Sequence, residues 1–126
     1  VRAGKIIATS GNTVVPDNDP TAHAEVNAIR KACKQLDSFQ LKDCEIYSSC
    51  EPCPMCLGAI YWARPARVYY ACTKEDAAAG GFDDSFIYKE IMLDGPTRCI
   101  PFENKREEGA GKEFRLWQAT NNKTRY

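Results

Sequence analysis

Two short blocks constrain this chain more than anything else in it. His23-Ala24-Glu25 is followed thirty residues later by Pro52-Cys53-Pro54-Met55-Cys56. Each block stands near the start of a segment with helical character. A fold that brings the two helix starts together therefore gathers one imidazole and two thiols at a point, with a carboxylate beside them. Zinc accepts imidazole nitrogen and thiolate sulfur, and three protein ligands leave a fourth position for water. The helix dipole and the exposed N–H groups of a first turn favour the thiolate form that coordination needs. A Cys-x-x-Cys alone also permits a structural four-ligand site, with Cys50 completing the set, or a redox pair. Two facts weigh toward an open, catalytic site: His23 is the only histidine of the chain, and Glu25 lies two residues from it. A carboxylate next to a metal-activated water can take its proton and return it to a leaving group.

The rest of the composition narrows the class. A chain of 126 residues is long enough for one domain with its own core, and we expect a single domain over 1–126. Seventeen Lys and Arg balance seventeen Asp and Glu, which gives no electrostatic case for nucleic acid or an anionic membrane as a partner. There is no apolar run of membrane-spanning length and no signal-peptide pattern, so a cytoplasmic location is the default expectation. Seven cysteines is an odd count that suits metal binding better than a disulfide framework.

The secondary structure reads as α/β. Val1–Ala8 is expected to hold the end of a strand, a turn at Ala3-Gly4 and a second strand over Ile6–Ala8, which implies that an upstream helix and most of a first strand are missing from this sequence. Residues 10–19 are turn-rich. Asn18-Asp19-Pro20 then predicts a helix start with Pro20 at the first helical position, and Val26, Ile29, Cys33 and Leu36 form its apolar stripe through Leu36. Cys44–Ser49 predicts a strand, Pro54–Ala63 a helix stopped by Arg64-Pro65, and Arg67–Cys72 a second strand. Strand, helix and strand with short links form a βαβ unit with parallel strands. Further short helices are expected over Lys74–Ala79, Phe86–Ile91 and Lys112–Thr120.

His23-x-Glu25 with Pro52-Cys53-x-x-Cys56 matches the H-x-E…P-C-x-x-C signature of zinc deaminases. The longer blocks DPTAHAEVNAIRKAC, SCEPCPMCLGAIYWARP and GFDDSFIYKE resemble the small guanine deaminases of the cytidine-deaminase-like superfamily. The third block separates that branch from the tRNA adenosine deaminases, which share the first two. The resemblance spans Asn12 to Phe102 and returns at the C-terminal Asn-Lys-x-x-Tyr.

It implies a three-layer α/β/α fold around a central mixed sheet, and a homodimer open to exchange of C-terminal segments between subunits. It also implies zinc held by His23, Cys53 and Cys56, with Glu25 as proton shuttle and Asp84 as a second acidic group that contacts the base and assists the departing amine. Asn12 and the Ala24 backbone N–H are implied to bind the purine, Trp62 to wall the pocket and Tyr126 to close over a site. The implied reaction is hydrolytic deamination of guanine to xanthine and ammonia. Guanosine is the alternative substrate, and a non-catalytic zinc-binding interaction domain is the alternative from another class.

Overall fold

The computed structural model describes residues 1–125, and Tyr126, the residue implied to close over a site, lies outside them. The chain forms two compact units, 1–88 and 89–126.

The first unit is built on a parallel βαβ. Strand β1, Glu45–Cys50, pairs in parallel with β2, Arg67–Cys72, in the register Glu45↔Arg67 through Cys50↔Cys72. Ile46, Tyr47, Val68, Tyr69 and Tyr70 are β-branched or aromatic, as a pleated surface favours. Helix α3, Pro54–Ala63, connects the strands. It starts where predicted, because Pro54 occupies the first helical turn, where its missing N–H costs nothing. It ends where predicted because Pro65 disfavours helical backbone at Arg64, which turns left-handed at φ 55° and returns its N–H to the Ile60 carbonyl.

The preceding helix starts later than its sequence suggests. Residues Val14–Asp17 form a short helix α1, and α2 runs Ala24–Leu36 rather than from Pro20. Asp19 does not cap a helix. Its carboxylate accepts hydrogen bonds from the Thr21 backbone N–H at 2.8 Å and the Thr21 hydroxyl at 2.7 Å, and this local turn holds Pro20 outside the helix. His23, at φ −67° and ψ 153°, is still extended and becomes the N-cap residue.

The predicted stripe of α2 does face the core. Val26 is buried, and Ile29, Cys33 and Leu36 pack with Ala32 against buried Leu41, Cys44 and Ala63. A fully buried leucine contributes about 2 kcal/mol by its transfer from water. From α3, Cys56, Ile60 and Ala63 point inward at helical spacing, and α2 packs against α3. The opposite side of α3 is also apolar: Leu57, Tyr61 and Trp62 are exposed, Tyr61 by 75% and Trp62 by 64%. On the sheet, Glu45, Tyr47, Arg67 and Tyr69 share one face, where the two tyrosine rings stack at 4.8 Å. The helices lie toward the other face, since Ser48 reaches Glu25 of α2.

The N-terminal residues give the sheet its antiparallel element. Val1 exchanges backbone hydrogen bonds with Glu45, and Arg2 bridges Cys44 and, across the Ala3-Gly4 turn, Lys5. Both turn residues have positive φ, which matches a two-residue hairpin turn. The expected strand over Ile6–Ala8 is not formed. A strand needs a ladder partner, and a cavity of about 650 Å³, lined by residues 6–10, α2 and β1, separates these residues from β1.

Helix α4, Lys74–Ala79, begins with a reciprocal cap in which Thr73 and Asp76 satisfy each other's backbone N–H groups. Helix α5, Ser85–Ile91, follows Asp84. In the second unit a 3₁₀ turn, Gly95–Thr97, is pinned by the Phe102 N–H donating to the Gly95 carbonyl at 2.9 Å. A Cβ at Gly95 would stand 2.7 Å from the Phe102 carbonyl oxygen, so glycine is required there. Helix α6, Lys112–Ala119, carries Phe114 and Trp117 on its surface.

Candidate metal centre and active site

The site is made by two helix N-termini. His23 is the N-cap of α2 and Cys53 the N-cap of α3, both in extended backbone, and Cys56 occupies the third position of α3. One ligand atom from each of His23, Cys53 and Cys56 lies within 4.8 Å of the others. The Cys53 sulfur stands 3.6 Å from His23 Nδ1. A tetrahedral zinc with ordinary Zn–S and Zn–N bonds spaces such a pair by about 3.5 Å, so the donor chemistry and this edge both fit zinc. Cys56 is fully buried and Cys53 partly so, which limits competition from solvent. Cys50 is not part of the group. Its thiol donates instead to the Thr73 carbonyl at 3.5 Å, so the four-ligand structural alternative is not formed among the described residues.

The two thiols divide one proton unequally. Cys53 is lowered to about 6, chiefly because the Cys56 thiol donates to its sulfur, with backbone N–H groups of Cys56 and Met55 and the neighbouring His23 adding to the effect against the cost of burial. Cys56 is pushed far up by that same hydrogen bond, by burial and by the charge of Glu25. One thiolate therefore forms readily, while the second needs a cation to stabilise it.

Glu25 lies in the first turn of α2 with its carboxylate against the cluster. Cys56 Sγ lies 3.5 Å from Oε2, which competes with the Cys53 sulfur for its one proton, and the Ser48 hydroxyl donates to Oε1 at 3.3 Å. Ser48 also accepts from the Cys50 N–H at 3.4 Å, so the hydroxyl is tied to the strand end that leads into Cys53. Sequence reasoning missed Ser48. The available signal was strand alternation, which turns Ser48 toward the helices when Tyr47 faces away.

The remaining predicted residues sit at different distances from this centre. Ala24 opens α2, where a first-turn N–H lacks an intrahelical acceptor and is directed at the helix end. Asn12 is exposed in the loop before α1, its carbonyl oxygen accepting from the Val14 N–H at 3.0 Å. Asp84 is half-buried just before α5. The nearby Tyr88 hydroxyl is pushed up by burial first and then by the charges of Asp84, Glu51 and Cys53. Trp62 lies six residues beyond Cys56 on α3, about 9 Å along the axis. The structure thus gathers His23, Cys53, Cys56 and Glu25 tightly. Asn12 lies in the loop before α1, Asp84 just before α5, and Trp62 farther along α3.

Comparison with known proteins agrees with this geometry. Residues 1–72 match the model described as the cytidine and deoxycytidylate deaminase zinc-binding region. The chain belongs to that family. The zinc ligand set and Glu25 all fall within the matched residues of the family, whereas Asp84 lies beyond them. Among its relatives, the guanine deaminase of Bacillus subtilis is 57% identical over 126 residues, covering 100% of this chain and 81% of that protein. The crystal structure of the B. subtilis guanine deaminase superposes with a TM-score of 0.97, covering 100% of this chain and 80% of its own. A tRNA-specific adenosine deaminase of Aquifex aeolicus is 39% identical over 97 residues, 77% of this chain and 60% of that protein. The family is one of zinc-binding deaminases, and the α/β architecture is the one it uses.

Proposed function

We propose that this chain catalyses the zinc-dependent hydrolytic deamination of guanine to xanthine and ammonia. The observation that carries the chemistry is the carboxylate of Glu25 against a three-ligand His-Cys-Cys set, 3.5 Å from Cys56. Similarity over the full chain to a guanine deaminase supports the choice of base.

His23, Cys53 and Cys56 would hold the zinc. When bound, the ion supplies Lewis-acid activation of water near neutral pH. Glu25 accepts a proton from the water that adds to C2 and delivers it to the adjacent ring nitrogen. The proton of the added C2 hydroxyl then passes to the 2-amino group, which departs as ammonia and leaves the C2 carbonyl of xanthine. Asp84 contacts the base and assists the proton transfer to the leaving amine. Asn12 and the Ala24 N–H orient the purine, so that the reacting carbon is held in place before chemistry begins. Trp62 is read as a wall of the pocket and Tyr126 as the residue that closes over a site.

We further read residues 1–126 as one deaminase domain that acts as a cytoplasmic homodimer. The exposed apolar side of α3, with Leu57, Tyr61 and Trp62, supports the dimer, because such a surface is stable when another surface covers it. No helix among the described residues is long and apolar enough to cross a membrane. Guanosine is the competing substrate.

Ammonia release measured with guanine, guanosine, adenine and cytosine tests the reading. Release from guanine well above the others is expected. Preference for guanosine moves the assignment to the nucleoside, and release from none of them leaves a zinc-binding domain without this activity.

A further inference from the structure

One side chain on α2 ties together two parts of the site that the sequence keeps apart. The Asn27 amide group, one helical turn after His23, lies 2.9 Å from the Thr13 hydroxyl oxygen, 3.2 Å from the Ala22 carbonyl oxygen and 3.4 Å from the Gly11 carbonyl oxygen. Gly11 and Thr13 are the two neighbours of Asn12, and Ala22 is the residue before His23. The Thr13 N–H also donates to the Ala22 carbonyl at 2.9 Å, closing the same junction. One turn further along α2, Lys31 Nζ donates to the Ser10 hydroxyl at 3.0 Å and the Thr9 carbonyl at 3.3 Å. Asn27 and Lys31, four residues apart, thus lie on one side of the helix and hold residues 9–13 to it.

We infer that Asn27 is a positioning residue for substrate: its amide clamps the Asn12 loop to the start of α2 and so fixes the distance between the base and the metal ligands. This inference rests on guanine as substrate and on Asn12 as a base contact. Asn12 is exposed, and its side-chain oxygen accepts from the Val14 N–H within the loop. A loop held at both neighbours of Asn12 presents a pre-oriented side chain, and the ordering entropy is not lost anew at each binding event. Asn27 adds a half-buried side-chain hold on both flanks to the backbone bond between Thr13 and Ala22. Lys31 is exposed and acts on the outer part of the loop.

The test uses zinc-loaded full-length protein as wild type, N27A, N27D, N12A and the N12A/N27A double variant. Guanine kinetics, zinc content and amide hydrogen exchange over residues 9–13 are measured for each. N27A is expected to raise KM for guanine about tenfold, with kcat within about twofold and zinc per chain unchanged. N27D keeps the size but loses the donors, and should match N27A. Amides of residues 11–13 should exchange faster in both. In the N12A background, N27A should change KM by less than about twofold, because the clamp then has nothing to position.

Wild-type KM in N27A, unchanged exchange, or the same KM penalty with and without Asn12 overturns the inference. So does a wild-type KM in N12A. A wild-type protein that releases no ammonia from guanine overturns the substrate reading itself, whereas guanine turnover with N27A at wild-type KM overturns the role of Asn27 alone.

Discussion

The N-termini of α2 and α3 meet at the same place but contribute in different ways. Both present an extended N-cap residue as a ligand, His23 in one and Cys53 in the other. Helix α3 then adds a second ligand, Cys56, on a turn started by proline. Helix α2 instead adds Glu25, which is not one of the three ligands. On the proposed reading, one helix end would be given wholly to holding the ion, and the other would be divided between holding it and moving protons. The difference teaches that the two ends should fail differently when altered.

The largest effect is expected at the end that only binds. C56A removes a fully buried ligand from the three-residue set. Zinc content should fall to roughly a tenth or less, and guanine turnover by about 10⁴-fold or more, because the metal supplies the nucleophile. Metal analysis and ammonia release check this. A C56A protein with full zinc would mean that the α3 end is not the metal-holding end.

Proton counting sharpens the same contrast. Cys53 titrates at about 6 and Cys56 far above its usual range, so near pH 7.5 one thiol still carries its proton before zinc binds. The thiols should then release about one proton per zinc. As pH falls through about 6, Cys53 is reprotonated as well, the thiol release rises toward two, and zinc affinity drops by up to about tenfold further per pH unit for that ligand. Calorimetry in buffers of different ionisation enthalpy reads the count. A thiol contribution near two at pH 7.5 would show that Cys53 is not a preformed thiolate.

A small effect is expected at Ser48. S48A removes one neutral donor from Glu25, and kcat should fall about three- to tenfold with zinc retained. An unchanged kcat would mean that Glu25 is oriented by other contacts.

These contrasts were legible in the sequence to different depths. Helix α3 was read to its true ends because proline acts locally: Pro54 opens the first turn and Pro65 stops the last. The start of α2 lies later than Pro20, because Asn18-Asp19-Pro20 is equally good chemistry for a turn, and only the fold shows that Asp19 bonds to Thr21. The strand expected over Ile6–Ala8 has strand composition, but pairing is a long-range property that composition does not carry. The metal set was legible because zinc ligation uses few residue types at fixed spacing. Ser48 and Asn27 were not, since a serine in a strand and an asparagine on a helix are common. Their roles appear only when β1 and residues 11–13 are brought against α2.

The central claim is that Glu25 moves protons without holding the ion, and E25Q tests it most directly. The substitution keeps the size and polarity of the side chain while removing its basicity. With zinc content measured on the same sample, the account predicts about one zinc per chain as in wild type and a kcat for ammonia release from guanine lowered by about 10³-fold or more. An E25Q protein that keeps its zinc and deaminates guanine at the wild-type rate would contradict it.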